Sequence, residues 1–456
     1  MDNNIKTLTR ILLTFETEEK IVDLSNSIVR FVILDDYLDS FTPTIQAELE
    51  CPESVLEFVM INKNIGKFKL ALYKCDPSNV LNKISEEDEL IIKGLDLILL
   101  EQGFTKDSYE TDTFGNSDHA RLEVSKLNLN FIPKFSLELN HEIFNLFLHN
   151  VDRKNLIKYL ISKTFNMTAT TLDPYQILIS DFKGLSLIEQ MFIPNLSFFE
   201  ILSFLDNSYS LFKTKPMIYF GLNHAFIFEI KEALGTLHID NKKAPLRISI
   251  ENEENPKVLN SNESAILIPT DTIKVSDRST VYSTIKGNKT TLTGFNMLPI
   301  TKNDRYEIIK DIDTTLTDYI SKKKIKLFET DNKKTLFNNN LKDIDTLKEE
   351  LEFDSQIYYE VEIESYNIDF TLLHPLREVR FAADIYGMKK EDLYSISQVQ
   401  TQFYFDLELN NTIKGNSSET LLLEPLTVFN KSEYDQSKVA PFYYSNKVFF
   451  NLIKVK

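Results

Sequence analysis

Alternation of apolar and polar residues dominates both ends of this chain. From Thr44 to Cys51, Ile45, Ala47, Leu49 and Cys51 share one phase, and Gln46, Glu48 and Glu50 share the other. That period of two predicts a strand with one buried and one wet face. Phe68, Leu70 and Leu72 repeat the pattern, and Pro43 stands at the entrance of the first strand, where a missing N–H is tolerated. Residues 89–104 and 121–131 add strands; the phase slips at Ser125–Lys126 and predicts a bulge there. Near the C-terminus, Ile357, Tyr359, Val361 and Ile363 alternate with Tyr358, Glu360, Glu362 and Glu364. The longest alternation sets Val399, Thr401, Phe403, Phe405, Leu407 and Leu409 against Gln398, Gln400, Gln402, Tyr404, Asp406 and Glu408. Such a strand would be roughly 40 Å long, far beyond the usual five or six residues. Two-faced strands of that length suit barrels and tubes.

The middle of the chain changes period. Phe144, Phe147, Leu148 and Val151 fall on one helical face, and Asp152 caps a second predicted helix carrying Leu156, Ile157, Leu160 and Ile161. Capping-box spacing occurs at Ser186–Glu189 and again at Ser197–Glu200. The second box opens a helix whose stripe is Phe198, Ile201, Leu202 and Leu205; Pro216 then blocks further helix, and aromatic runs on either side of Gly221–His224 predict a hairpin. Residues 251–295 are polar and weakly periodic and read as extended loops. A further helix is predicted after Asn303, with Tyr306, Ile309, Ile312, Leu316 and Ile320 inward and Lys322–Lys324 at its end, followed by a short one over 341–351.

Composition narrows the function more by exclusion than by motif. With 456 residues the chain is expected to form two to four domains. A net charge of -17 argues against a broad nucleic-acid-gripping face. Cys51 and Cys75 could pair, although a reduced, cytosolic setting is expected. No apolar run approaches the ~20 residues of a membrane-spanning helix, and the N-terminus shows no signal-peptide pattern. The six histidines lack zinc spacing, and His141 and His149 are eight apart. "GNKTT" at 287–291 lacks the first glycine of a phosphate loop, and "LDDYLD", with Asp35, Asp36 and Asp39, lacks calcium-loop spacing and reads as a turn at a strand end. Basic residues cluster only at 321–334, without base-stacking aromatics. No pair among the 68 acids stands out as a glycosidase pair. The expectation is a non-enzyme with no cofactor and no metal.

The stretch "IPNLSFFEILSFLDNSYSLFKTKPMIYFGLNHAFIFEI" resembles a segment of the baseplate hub proteins of contractile-tailed phages, a module shared with the N-terminal half of VgrG spike proteins. Phe199, Glu200, Leu202, Phe204 and Leu205 carry the helical part of the likeness; Tyr219, Phe220, Gly221, Phe226 and Phe228 carry the hairpin. "FVILDDYLDSFTPTIQAELE" is similar to the family's opening strands, and "LHPLREVRF" with "DLYSISQVQTQFYFDLELN" to its closing strand pair. Residues 231–350 have no counterpart, and Pro375 is followed by Leu where the family pattern has Gly.

The resemblance implies a strand-rich α+β fold with two β-barrel-like tube domains and a helical, irregular intermediate domain. The expected borders are 1–135 for the first tube-like domain, 136–216 for the helical part, 217–230 for the hairpin joining the second tube domain, 231–352 for the rest of the intermediate domain, and 353–456 for the second tube-like domain. It implies a homotrimer forming a pseudo-sixfold ring in a virion tail, assembled in the host cytoplasm. Its partners would be a tail tube or tube-initiator protein and a central spike, with genomic DNA passing unbound. Expected subunit or tube contacts are Phe199, Tyr219, Phe220, Phe226 and Phe228, because aromatic edge strands supply both pairing and buried area. Expected channel-facing residues are Glu360, Glu362, Glu364, Gln400, Gln402, Asp406 and Glu408, a wall offering DNA few cations. Two alternatives stay open: a tail-tip protein of a non-contractile or short tail, and a carbohydrate hydrolase on a β-scaffold, against which stand few glycines and no Trp.

Overall fold

The computed structural model describes residues 8–38, 40–75, 89–110, 121–164, 176–179, 187–209, 211–212, 216–222, 224–229, 246–250, 266–270, 272–277, 289–297, 303–313, 333–338, 359–375, 377–381, 394–405, 410, 428–434 and 442–454. The chain opens with β1 (Leu8–Glu16), β2 (Lys20–Asp23), β3 (Ile28–Asp36), β4 (Thr44–Cys51), α1 (Glu53–Asn62), β5 (Lys67–Cys75), β6 (Glu89–Glu110) and β7 (Arg121–Pro133). Next come α2 (Lys134–His141), β8 (Ile143–Val151), α3 (Arg153–Thr164), β9 (Gln176–Ile179), β10 (Ile188–Ser197), α4 (Phe198–Tyr209), β11 (Pro216–Phe220) and β12 (His224–Glu229). Then follow β13 (Leu246–Ile250), β14 (Ile266–Thr270), β15 (Thr272–Asp277), β16 (Lys289–Met297), β17 (Asn303–Asp313) and β18 (Lys333–Asn338). The last elements are β19 (Tyr359–Tyr366), β20 (Val379–Phe381), β21 (Tyr394–Phe405), β22 (Val428–Asn430) and β23 (Tyr443–Lys454).

The hydrogen-bonded path through the large sheet returns on itself. It runs β21–β3–β4–β7–β6–β5–β1–β23, and β23 pairs back onto β21; every step is antiparallel. Inside this ring lie Ile11, Leu13, Phe15, Phe31, Ile45, Phe68, Leu129 and Phe131, all 2% exposed or less. A second path leaves the same pair of strands. β20 and β13 continue from β21, while β19 and β15 continue from β23. Residues 266–270 pair with β13 and residues 272–277 with β19, so one stretch of chain serves both ends of this path. Its own core contains Leu246, Ile248, Val361, Ile363, Phe381, Ile396 and Phe450.

Strands β21 and β23, twelve residues each, are long because they belong to both cores. On β21, Val399 faces the second core and Phe403 the first; on β23, Phe450 and Tyr444 divide the same way. A side-chain pin ties β23 to the chain just after β19. The Asn446 amide donates to Ile368 O at 2.9 Å and accepts from Ile368 N–H at 3.1 Å, next to Asn367 in the left-handed region at φ 52°.

A third core gathers α2, α3, α4, the β8–β10 ribbon and the sheet β11–β12–β9. The capping expectations hold for two of its helices. Asp152 accepts from Lys154 N–H at 2.8 Å at the start of α3, and Glu200 accepts from Ser197 N–H at 2.7 Å at the start of α4. Phe198, Ile201, Leu202 and Leu205 form the buried stripe of α4. A separate sheet is β17–β16–β18.

Four expectations are corrected. Residues 143–151 form a strand, because Phe144, Leu146 and Leu148 alternate against β10 and this satisfies the third core better than a helical stripe would. Of the capping spacing at Ser186–Glu189, Glu189 lies in β10, where β8 supplies the backbone partners, and Ser186 lies outside the described residues. Residues 303–313 pair with β16 as a strand, not a helix; Leu316, Ile320, Lys322–Lys324 and 341–351 lie outside the described residues. The register of β7 runs unbroken through Ser125 and Lys126; the irregularity falls on β6 between Leu99 and Glu101. A second one falls near Gly94, whose φ of +51° suits a residue without Cβ. The long alternation makes a strand over Tyr394–Phe405, and its last four residues, 406–409, lie outside the described residues.

Candidate functional site: a continuous polar wall and an aromatic joint

The outward phases of the sheet line up into one face. In register, Lys274, Glu362, Asn451, Gln398 and Asp36 stand side by side across β15, β19, β23, β21 and β3. The next row is Thr272, Glu364, Phe449, Gln400, Leu34 and Thr44. A third is Tyr366, Lys447, Gln402, Val32, Gln46 and Asn130, and the backbone of β6 pairs beyond Asn130 at Glu101. Residues paired across antiparallel strands point to the same side. The wall is therefore eight strands wide, from β15 through β19, β23, β21, β3, β4 and β7 to β6, and it spans both cores. At about 4.8 Å per strand it is roughly 38 Å across.

This arrangement joins two groups of residues that the sequence kept apart. Glu362 and Glu364 on β19 share a face with Gln400 and Gln402 on β21, with β23 between them. The backbone of Glu360 pairs in the same strand, whereas Asp406 and Glu408 lie outside the described residues. The glutamates are not a bare anionic row. Lys274 Nζ lies 3.3 Å from Glu362, Lys447 binds Glu364, and Lys126 Nζ lies 3.7 Å from Glu50. The Lys447 ammonium, helped by the Tyr366 and Thr272 hydroxyls, holds the Glu364 carboxyl below its ordinary range, and Glu364 in turn pushes Lys447 up. The rest of the rows mixes the amides of Asn451, Gln398, Gln400, Gln402, Gln46 and Asn130 with Thr272, Thr44, Phe449, Leu34 and Val32. Such a surface makes hydrogen bonds to water and presents little uncompensated charge.

The aromatic hairpin lies behind the wall, between cores. Met217, Tyr219, Phe226 and Phe228 of β11 and β12 pack into the second core; Phe220, Ala225 and Ile227, on the other face, pack into the third. Tyr219, Phe220 and Phe228 are 0% exposed and Phe226 is 2% exposed. Their burial is accounted for within one chain. Phe199 is half-buried, with ring centroids 4.4 Å from exposed Phe41 and 5.9 Å from Phe220.

At the meeting point of the bodies lies a cavity of about 50 Å³ lined in part by Asp35, Tyr37, Tyr219, His224, Thr371 and His374. Asp35 continues the inward phase of Phe31 and Ile33, so its carboxylate points to the core side. Tyr219 donates to it at 2.7 Å, and Tyr37 donates to Leu373 O at 3.3 Å. Burial pushes the Asp35 carboxyl up to about 6 against the pull of the Tyr219 bond, and it holds both tyrosine hydroxyls well above their ordinary range. His224, Phe226 and His374 form a ring cluster with centroids 5.6–6.0 Å apart. The sequence alone does not point to this joint and reads Asp35 as part of a turn at a strand end. The available signal was that Asp35 is the one acid on the apolar phase of its strand. Both cysteines are free and buried, and burial raises the Cys51 thiol to about 11. Among the described residues no group of three His, Cys, Asp or Glu side chains could hold a metal ion, and no helix is long and apolar enough to cross a membrane.

No family model and no curated protein matches the chain. The chain is similar to several solved structures at low identity. The 43 kDa tail protein of prophage MuSo2 from Shewanella oneidensis shares 10% identity at a TM-score of 0.45, covering 98% of each chain. The lidless PdpA–VgrG complex shares 9% identity at 0.44 over all of this chain, which spans 66% of the length of that one. An Escherichia coli type VI secretion component, described as similar to the T4 bacteriophage tail proteins gp27 and gp5, shares 9% identity at 0.36, covering 97% of this chain and 77% of that one.

Proposed function

We propose that this protein is a structural hub of a phage-type tail or spike: three copies form a ring whose inner wall is the polar face. The carrying observation is the pair β21–β23, which fuses two β-cores behind one uninterrupted, charge-paired face. On this reading each core is a tube domain, so three chains supply six tube-like units. Three walls of eight strands make 24 strands, about 115 Å around and about 37 Å across at the backbone. After roughly 5 Å of side chain on each side, a bore of about 25 Å remains, wide enough for a DNA duplex.

The sequence resemblance to baseplate hub proteins supports the same reading. It implies the tail tube and the central spike as axial partners and a location in the virion tail. The wall fits passage without adhesion, because lysines already held by glutamates release few counterions to a polyanion. No step of this role requires a nucleophile. A tail-tip role in a non-contractile tail uses the same geometry. The test is mass by light scattering together with negative-stain images. A species of about 159 kDa, three times 53.0 kDa, with a central channel is expected. A stable 53.0 kDa monomer at micromolar concentration would sink the reading.

A further inference from the structure

Asp35 is a carboxylate without a counterion among the described residues. It sits on the apolar phase of β3 and accepts one hydrogen bond there, from the Tyr219 hydroxyl at 2.7 Å. No lysine or arginine among those residues pairs with it. Carboxylates withdrawn from water are normally matched by a cation or by several donors. The acids of the polar wall follow that rule, since Glu364 holds Lys447 and Glu362 holds Lys274.

The cavity in front of Asp35 has the lining of a cation site. The rings of Tyr37, Tyr219, Phe226 and Phe370 form much of its wall, and aromatic rings attract cations. His224, Thr371 and His374 complete the rim; each is polar and half-buried, which gives a small solute a way in. At about 50 Å³ the space takes roughly three or four water-sized groups, too few for a nucleotide or a sugar. The donor set does not suit a metal ion, because no three His, Cys, Asp or Glu side chains converge among the described residues. An anion would meet the Asp35 charge, and a neutral solute would leave that charge unanswered.

We propose that this cavity binds a small primary ammonium group, with its charge against Asp35 and its carbon against the rings of Tyr37, Tyr219 and Phe226. The site draws on β3, on the hairpin β11–β12 and on the segment after β19 that carries Thr371 and His374. Occupancy ties these three parts together and stabilises the folded chain by mass action. Nothing in the site depends on copies coming together. The ammonium belongs either to a free amine or to the tip of a lysine side chain, and the chemistry at Asp35 is the same for both.

Titration of the full-length protein with methylammonium chloride at pH 8, where Asp35 is ionised, tests this by NMR of the ligand's methyl resonance. A ligand with so few heavy atoms is expected to bind with a dissociation constant on the order of 10 mM. Asp35→Asn keeps an acceptor for Tyr219 and should weaken binding by about tenfold or more; its melting curve reports whether it folds. In the parent chain, methanol and potassium chloride at equal concentration should not displace methylammonium. Nα-acetyl-lysine amide separates the two sources: if it binds, a lysine tip is admitted, and if only methylammonium binds, the ligand is a free amine. The absence of saturable binding by either ligand overturns the proposal. So does equal binding by a folded Asp35→Asn, or displacement by methanol or potassium, which the parent alone decides.

Discussion

Asp35 is the residue whose chemistry departs furthest from its surroundings. Its carboxyl titrates near 6 instead of 3.8, so the folded chain holds this proton more tightly than the unfolded chain does. The stabilisation is therefore fully present below about pH 4 and is lost as the pH rises through about 6. Its size is on the order of 2 kcal/mol, given partial solvent access. Asp35→Asn keeps an acceptor for the Tyr219 hydroxyl and removes the charge. Thermal melts from pH 4 to 8 should show the variant more stable than the parent at pH 8, with a flatter profile; equal slopes would show that the Asp35 carboxyl titrates alike in the folded and unfolded chains. Gly66 makes a second prediction. A Cβ there would lie 2.2 Å from the ring of Phe15, which is fully buried against Phe58 and Phe68. Gly66→Ala must displace that ring, and about 1–3 kcal/mol of lost stability is expected in urea titrations.

Among the elements, the hairpin β11–β12 contributes most to cohesion, because its two faces serve different cores. Truncating Phe220, which meets Phe198 at 5.4 Å and Phe199 at 5.9 Å, leaves a cavity on the third-core side only. Phe220→Ala should cost about 3–5 kcal/mol. Hydrogen exchange should rise in α3 and α4 before it rises in β1–β7. Uniform deprotection would mean that the cores unfold as one unit. The alternation at residues 143–151 illustrates why such elements resist sequence reading. Its apolar residues fit a helical stripe and a strand phase almost equally well, and pairing with β10, supplied from more than thirty residues away, decides between them. α3 and α4 were legible because their caps and stripes are local.

At the scale of the whole molecule, the ends of the chain depend on each other. Strands from residues 8–133 make six members of the first ring, and β21 and β23 complete it. A fragment ending at residue 135 would lack both closing strands and leave β3 and β1 as open edges. It should be insoluble or lack near-ultraviolet circular dichroism, and co-expression with 353–456 should restore part of the signal. A soluble, cooperatively melting 1–135 would show that the ring closes without its C-terminal strands.

The two-faced strands, the caps of α3 and α4 and the aromatic hairpin were settled by the sequence, because each depends on residues within a turn or two of one another. Periodicity says which side of a strand is wet, but not which strands stand beside it. Only the tertiary structure decided that Glu362 and Gln398 share one wall, that lysines from β15 and β23 neutralise its glutamates, and that Asp35 faces a cavity. These are relations between segments up to some 360 residues apart, fixed by how whole cores pack, and no local pattern encodes them.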